Sequence, residues 1–335
     1  MENHKIRVAI TQGDTNGIGY ELILKTFGEP EMQEICTPII YGSQKIAAYH
    51  SNALQQQSHF HIIKDAREAR DGKVNLIVCC NEETKVDFGR ETAESKAAAQ
   101  SAMDKALADA KDGCFDVLVC CPANNGKKGE HIYINDVVRV ATLCEGDAKA
   151  EGALTQENLT EKVKMIHSML KRDFRLSNPR IAILALNSEP TIEEQEIIAP
   201  AVSALAESSI QVFGPYQAED FIGTRKYEAF DAILAMNRKQ AEPFGKLTDT
   251  EGVAVLSGMP VVSTMPDTDA HYDIAGKNEA NEAIFRNAIY TAIDIFRNQK
   301  EYDRPLVNPL PKLYHERPDN GEKLRFSIPK KKEEA

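Results

Sequence analysis

The chain has 335 residues, 42% apolar and 27% charged, which are ordinary proportions for a globular protein and exclude disordered, fibrous and disulfide-scaffold classes. Its 51 acidic residues outnumber 40 basic ones, and the net charge of −11 argues against nucleic acid or an anionic membrane as the main partner. Seven cysteines without a Cys-x-x-Cys spacing, an N-terminus lacking a signal-peptide core and no apolar run near the roughly 20 residues of a membrane helix predict a cytoplasmic protein with reduced thiols.

The first predicted element is the most informative. Ile6 to Ile10 is a β-branched run that reads as a buried strand, Gly13, Gly17 and Gly19 give backbone freedom where it ends, and a helix follows from Ile18 to Phe27. Such a turn can present backbone N–H groups and the positive end of a helix dipole to a phosphate or carboxylate, which makes Gly13, Asp14, Gly17 and Gly19 a candidate cofactor-facing loop. Leu22 stands where the dinucleotide fingerprint needs its last glycine, and from the motif alone a purely structural tight turn accounts for the pattern as well.

Further strands are predicted at Thr37 to Tyr41, His59 to Ile63, Val74 to Cys80 and Val117 to Cys121, alternating with helical segments in the manner of an α/β layer. The clearest helix runs from Thr92 to Lys111, with Ala97, Ala98, Met103, Ala106, Leu107 and Ala110 recurring at helical spacing and Gly113 where a C-terminal cap belongs. In the second half Thr155 caps a helix striped by Leu159, Val163, Ile166 and Leu170, and Ile181 to Leu186 reads as a central strand. Thr191 and Glu194 form a capping box for a helix from Ile192 to Glu207 that Pro200 should bend. Phe230 to Met236 is the next strand, and Asn278 to Arg297 an amphipathic helix. After Asn298, Pro305, Pro309, Pro311, Pro318 and Pro329 with a charged end predict an extended or disordered arm with no packed element.

The wording of Ile10-Thr-Gln-Gly-Asp-Thr-Asn-Gly-Ile-Gly-Tyr-Glu21, followed by Cys36-Thr-Pro-Ile-Ile-Tyr-Gly42, Pro179-Arg-Ile-Ala-Ile-Leu-Ala-Leu-Asn187, Phe213-Gly-Pro-Tyr216, Gly258-Met-Pro-Val-Val262 and Ile274-Ala-Gly276, resembles the 4-hydroxythreonine-4-phosphate dehydrogenase family. Thr15 and Tyr20 stand at two of that family's prolines. The resemblance implies a two-lobed, three-layer α/β/α fold similar to isocitrate and isopropylmalate dehydrogenases, with mixed, mostly parallel sheets. Residues 1–122 with 270–300 would form the first lobe, 123–269 the second and 301–335 a Pro-rich extension. It also implies a homodimer, NAD as hydride acceptor, and a divalent metal held by three histidines, whose Lewis acidity stabilises the alkoxide of the alcohol being oxidised.

At the family's site positions this chain reads differently. Leu-Asn-Pro-His becomes Leu186-Asn187-Ser188-Glu189, and Ala-Met-Tyr-His-Asp-Gln becomes Ala235-Met236-Asn237-Arg238-Lys239-Gln240, so two ligand histidines are replaced by Glu189 and Arg238. The stretch Leu143 to Gly152, where the third belongs, holds no histidine, and the region between Pro122 and Val140 lacks the family's substrate loop. The phosphate-binding lysine falls on Gly245, with Lys246 adjacent; the asparagine falls on Ala254, the arginine on Ser263, and Asp-His-Gly-Thr on Asp267-Thr-Asp-Ala270.

The site positions are therefore Asn187, Glu189, Arg238, Gln240 and Asp267, mostly substituted, with no metal-ligand set identified among them. Glu189, Glu193, Glu194, Asp267 and Asp269 offer oxygens for magnesium, but acidic residues at helix starts are usually caps. Arg238 and Lys239 are expected to pair with Glu189 across the cleft, and Asn124 to Gly129 reads as an exposed turn rather than a phosphate loop.

Three functions follow. The leading one is a relative of this dehydrogenase family with a degenerate site, non-catalytic or altered in chemistry, metal-free, dimeric and able to take a small phosphorylated ligand. The second is an active NAD-dependent dehydrogenase that oxidises and decarboxylates 4-phosphohydroxy-L-threonine in vitamin B6 synthesis. The third is a structural interaction protein that works through its C-terminal arm.

Overall fold

In the computed structural model, which describes residues 5–56, 59–80, 84–123, 131–144, 154–187, 191–248 and 252–308, the first apolar run forms β1 (Ile6–Thr11). Val8 and Ile10 face one core and Ala9 another, because a strand covered on both sides must send apolar residues to both. β1 pairs in parallel with β2 (Cys36–Gly42) and with β5 (Val117–Cys120), and β4 (Val74–Val78) and β3 (Phe60–Ile63) extend the sheet beyond β2. On the other side of β5 follow β12 (Val262–Pro266), β11 (Val253–Leu256), β6 (His131–Ile134), β7 (Arg139–Thr142), β10 (Ala232–Ala235), β8 (Arg180–Leu184) and β9 (Gln211–Tyr216).

Neighbouring strands are parallel except in the series β12, β11, β6, β7, whose three antiparallel pairings reverse the strand direction in mid-sheet. The carboxyl ends of β1 and β5 therefore open at one end of the sheet, and those of β8 and β10 at the other.

Helices cover both faces of each half. In the first half, α1 (Gly19–Gly28) and α9 (Glu282–Val307) lay Ile23, Phe27, Phe285, Ile289 and Ile293 on one face; α2 (Pro30–Ile35) and α3 (Gln44–Ala53) follow α1. The opposite face carries α4 (Ala93–Lys111), which packs Ala102, Ala106 and Ala110 over Ala9, Ile39 and Leu118. α4 starts in a reciprocal cap between Thr92 and Ser95 and stops at Gly113, whose φ of 65° suits glycine, as the sequence predicts.

In the second half, α5 (Gln156–Arg172) and α6 (Ile192–Glu207) cover one face through Leu159, Val163, Ile166, Ile198 and Leu205. α7 (Ala218–Gly223) and α8 (Arg238–Gly245) cover the other through Phe221 and Phe244. The result is the expected three-layer α/β/α arrangement with a mostly parallel sheet. No helix among the described residues is long and apolar enough to cross a membrane.

Two expectations need correction. β12, assigned from the sequence to the second lobe, sits against β5, buries Met265 in the first-half core and donates from Thr264 Oγ1 to Ala288 O of α9 (2.8 Å). The helix predicted to end at Arg297 also runs on, through Pro305, to Val307. Its continuation is anchored on the end of α5: Asn298 Nδ2 donates to Asp173 O (2.8 Å), Gln299 Nε2 to Asp173 Oδ1 (2.8 Å), and Asp303 pairs with Arg172 (2.5 Å). Residues 301–307 thus continue the helix, largely exposed and tied down at Asp303; residues beyond 308 lie outside the described residues.

Candidate ligand site

The glycine-rich loop after β1 is closed rather than open. Every residue from Gln12 to Tyr20 is buried. Four of its N–H groups donate within the fold: Asp14 N to Pro122 O (3.0 Å), Asn16 N to Asp14 Oδ1 (2.8 Å), Gly17 N to Asp14 O (3.1 Å) and Ile18 N to Ala270 O (3.0 Å). The Asp14 carboxylate also accepts from Ser95 Oγ (3.0 Å) and Tyr272 Oη (3.0 Å).

A Cβ on Gly13 would lie 2.5 Å from Pro122 O, on Gly17 2.5 Å from Ala270 O, and on Gly19 2.2 Å from Gln12 O. These glycines allow backbone to approach backbone, and they fill the crevice between the ends of β1 and β5 where an open α/β sheet would take a ligand. Gly13, Asp14, Gly17 and Gly19, expected as a cofactor-facing loop, form a tight, buried turn in the described residues.

The two residues that replace prolines show how this loop is held. Tyr20 Oη donates to Gln12 Oε1 (2.8 Å) and accepts from Ser43 N (2.8 Å), so its polar end is satisfied in the core. Thr15 is less well served: its carbonyl accepts from His50 Nε2 (2.8 Å), but its buried Oγ1 has no partner. His50 is itself buried, with Nδ1 unpartnered, and burial pulls its pKa down from 6.5 to about 4. Glu21 completes the network, accepting from Ala280 N (2.7 Å) and pairing with Lys25 (2.9 Å).

A cavity opens instead beside α8. Asn237 caps that helix by accepting from Gln240 N (3.1 Å), and Asn135 Nδ2 in the β6–β7 turn donates to Phe244 O at its far end (3.0 Å), which lays α8 over the hairpin. Between them lies a space of about 220 Å³. Tyr133, Val138 and Val140 line it from the hairpin, Ala241 and Phe244 from the helix. Arg238 and Lys246 supply its cations, and Asp267 lies opposite. Arg238 pairs with Glu242 (3.5 Å), both half exposed, a contact that water screens to little net strength.

Of the predicted site residues, Arg238 and Asp267 meet in this cavity. Asn187 and Gln240 line a second space, about 340 Å³, at the ends of β8 and β10. There Gln240 clips two strand ends together, accepting from Met236 N (2.9 Å) and donating to Ala185 O (2.7 Å), while Asn187 Nδ2 donates to Glu194 Oε2 (3.4 Å). Glu194 in turn closes the capping box of α6 and accepts from Leu186 N, which makes it a cap and not a magnesium ligand.

Glu189 lies outside the described residues, as do most of Leu143 to Gly152 and the turn from Asn124 to Gly129, so the expected pair of Glu189 with Arg238 is not described; Arg238 pairs with Glu242. Among the described residues no group of three or more His, Cys, Asp or Glu could hold a metal ion. Arg238, at the position of a ligand histidine by resemblance, has only donors and no lone pair for a cation, so the described donor set does not fit the family's metal. The lining from Tyr133, Val138 and Val140 carries no motif in the sequence. It comes from a hairpin of two four-residue strands, whose only signal is the Asn135-Asp136 turn.

A family model described as pyridoxal phosphate biosynthetic protein PdxA matches residues 34–136 and 137–292. A 4-hydroxythreonine-4-phosphate dehydrogenase of Bacteroides thetaiotaomicron is 42% identical over 358 aligned positions, covering 97% of this chain and 98% of the relative. That alignment is longer than the 335 residues here, so the relative holds residues that this chain lacks. One from Prosthecochloris aestuarii is 28% identical over 334 positions, 87% of this chain and 97% of the relative. Among solved structures, the 4-hydroxythreonine-4-phosphate dehydrogenase of Klebsiella pneumoniae superposes with a TM-score of 0.73 at 21% identity, and that of Burkholderia phymatum with 0.68 at 23%. Each covers 88% of this chain and 99% of its own, and at these identities the likeness speaks for the fold.

Proposed function

Because the chain belongs to the PdxA family of pyridoxal phosphate biosynthetic proteins, we propose that it keeps the dehydrogenase scaffold and binds a small anionic ligand beside α8 without metal-assisted oxidation of an alcohol. The observation that carries this reading is Arg238. Its guanidinium reaches the cavity where the resemblance places an imidazole, and a fixed cation repels the divalent ion that the family's chemistry needs. The glycine loop supports it too, since it is buried throughout and the N–H groups of Asp14, Asn16, Gly17 and Ile18 already bond within the fold.

The test is NADH formation from NAD and 4-phosphohydroxy-L-threonine, measured with zinc or magnesium added and with the Bacteroides thetaiotaomicron relative as positive control. No turnover above background is expected. Turnover at the rate of the control would overturn the reading.

A second reading, an active NAD-dependent dehydrogenase acting on that substrate, is favoured by the 42% identity across nearly the whole chain. It requires ligands from Glu189 and neighbouring segments outside the described residues. Metal analysis of the purified protein separates the two, because one tightly bound divalent ion per chain fits only the second.

A further inference from the structure

We propose that Cys79 and Cys80 form an oxidisable dithiol, a modification site at which hydrogen peroxide converts two neighbouring thiols into one reversible disulfide. All seven cysteines are reduced, and four of them, Cys36, Cys114, Cys120 and Cys121, are buried. Cys79 and Cys80 follow directly on β4 and are partly exposed. Cys79 Sγ lies 3.7 Å from Gly42 O and within hydrogen-bond reach of Cys80 Sγ. Cys80 Sγ in turn lies 3.5 Å from Gln12 Nε2 and 4.0 Å from Gln12 Oε1.

These contacts give the two sulfurs different roles. The bond to Cys80, together with burial, pushes the Cys79 thiol up, so Cys79 keeps its proton. The carboxamide of Gln12 serves Cys80 in either state, its oxygen taking the S–H and its N–H group meeting the thiolate, which makes Cys80 the attacking sulfur. The other adjacent pair, Cys120 and Cys121 at the end of β5, is a contrast: burial pushes Cys120 up to about 12 and Cys121 well above its ordinary value, and those thiols stay inert.

In the first step the Cys80 thiolate attacks one peroxide oxygen, the O–O bond breaks, and hydroxide leaves to take up a proton as water. Cys80 is then a sulfenic acid. In the second, the Cys79 sulfur attacks the Cys80 sulfur, the S–O bond breaks, and the hydroxyl leaves as water with the Cys79 proton. Two thiols are oxidised and one peroxide is reduced to two waters. Neighbouring Cα atoms are about 3.8 Å apart, below the roughly 4.4 to 6.8 Å of ordinary disulfides, so the bond is strained and easily reduced. That suits a reversible modification better than a structural tie. Gln12 connects it to the rest of the fold, since it also accepts from Tyr20 Oη (2.8 Å) and donates to Ala98 O of α4 (3.2 Å).

The test is peptide mapping by mass spectrometry after the full chain is treated with hydrogen peroxide and its remaining thiols are alkylated. The peptide carrying residues 79 and 80 should be lighter by two hydrogens, unalkylated, and restored by dithiothreitol. It should react about tenfold faster than Cys144, the other partly exposed thiol. Cys79→Ser should stop Cys80 at the sulfenic acid, which dimedone labels, and Cys80→Ser should leave Cys79 unoxidised. Oxygens added to the two sulfurs without a disulfide, oxidation of Cys144 at the same rate, no reaction at residues 79 and 80, or equal reactivity of Cys79 in the Cys80→Ser variant would overturn the proposal.

Discussion

The loop from Gln12 to Glu21 and the segment from Asn237 to Lys246 occupy equivalent places, each the turn from the carboxyl end of a strand into a helix. The first reads almost letter for letter as the family motif, and its residues are buried and hydrogen-bonded to one another. The second keeps Asn237 as cap and Gln240 as strand clip, while its outward residues Arg238 and Lys239 depart from the motif. In both, the residues that match the motif are those that close backbone hydrogen bonds or permit backbone contact. The family's wording in this chain therefore reports how it folds, and gives no warrant for how it reacts.

The largest test of that contrast is Gly19→Ala set beside Arg238→Ala. The new methyl at residue 19 meets Gln12 O with no flexible neighbour to yield, and a loss of at least about 3 kcal/mol is expected from the midpoint of denaturant unfolding. Arg238→Ala, at an exposed and weakly paired side chain, should stay within about 0.5 kcal/mol. Equal effects would erase the difference between the two regions.

Next in size is a pH effect in the closed loop. Burial holds His50 neutral, with a folded pKa of about 4 against 6.5 when unfolded. Between these values the unfolded chain binds a proton that the folded one does not. Stability from this group is therefore complete above pH 6.5 and is lost as pH falls toward 4, by up to about 3 kcal/mol. Unfolding free energies measured across that range should show the slope, and His50→Leu should flatten it. An unchanged slope in the variant would assign the acid sensitivity to other groups.

The smallest effect concerns Thr15, whose buried hydroxyl finds no partner where the family has proline. Thr15→Val exchanges that hydroxyl for a methyl of similar shape and should stabilise the chain by about 1 kcal/mol. A lower melting temperature in scanning calorimetry would mean that the hydroxyl is bonded after all.

Much of the fold was legible in advance where a local pattern has a local cause. The apolar run of β1, the Thr155 cap, the Thr191–Glu194 capping box and the cap at Gly113 need only their own neighbours to form. The strands of the sheet centre, β6, β7, β11 and β12, were not read: segments of four or five residues carry too little periodicity, and their pairing joins residues far apart in the chain. The site was legible only in part for the same reason. Arg238 and Asp267 were found by resemblance, Gln240 clips two strand ends, Asn187 bonds the cap Glu194, and the apolar wall of the cavity has no motif at all.

By itself, the sequence determined the α/β class, the family, most helix starts and the replacement of imidazole by guanidinium, because caps, periodicity and side-chain identity are properties of short segments. Tertiary structure alone decided that the glycine loop is shut and that an apolar cavity lies beside α8. Whether an N–H group is free or bonded, and what faces a valine across a gap, depends on residues that the chain brings together only when it folds.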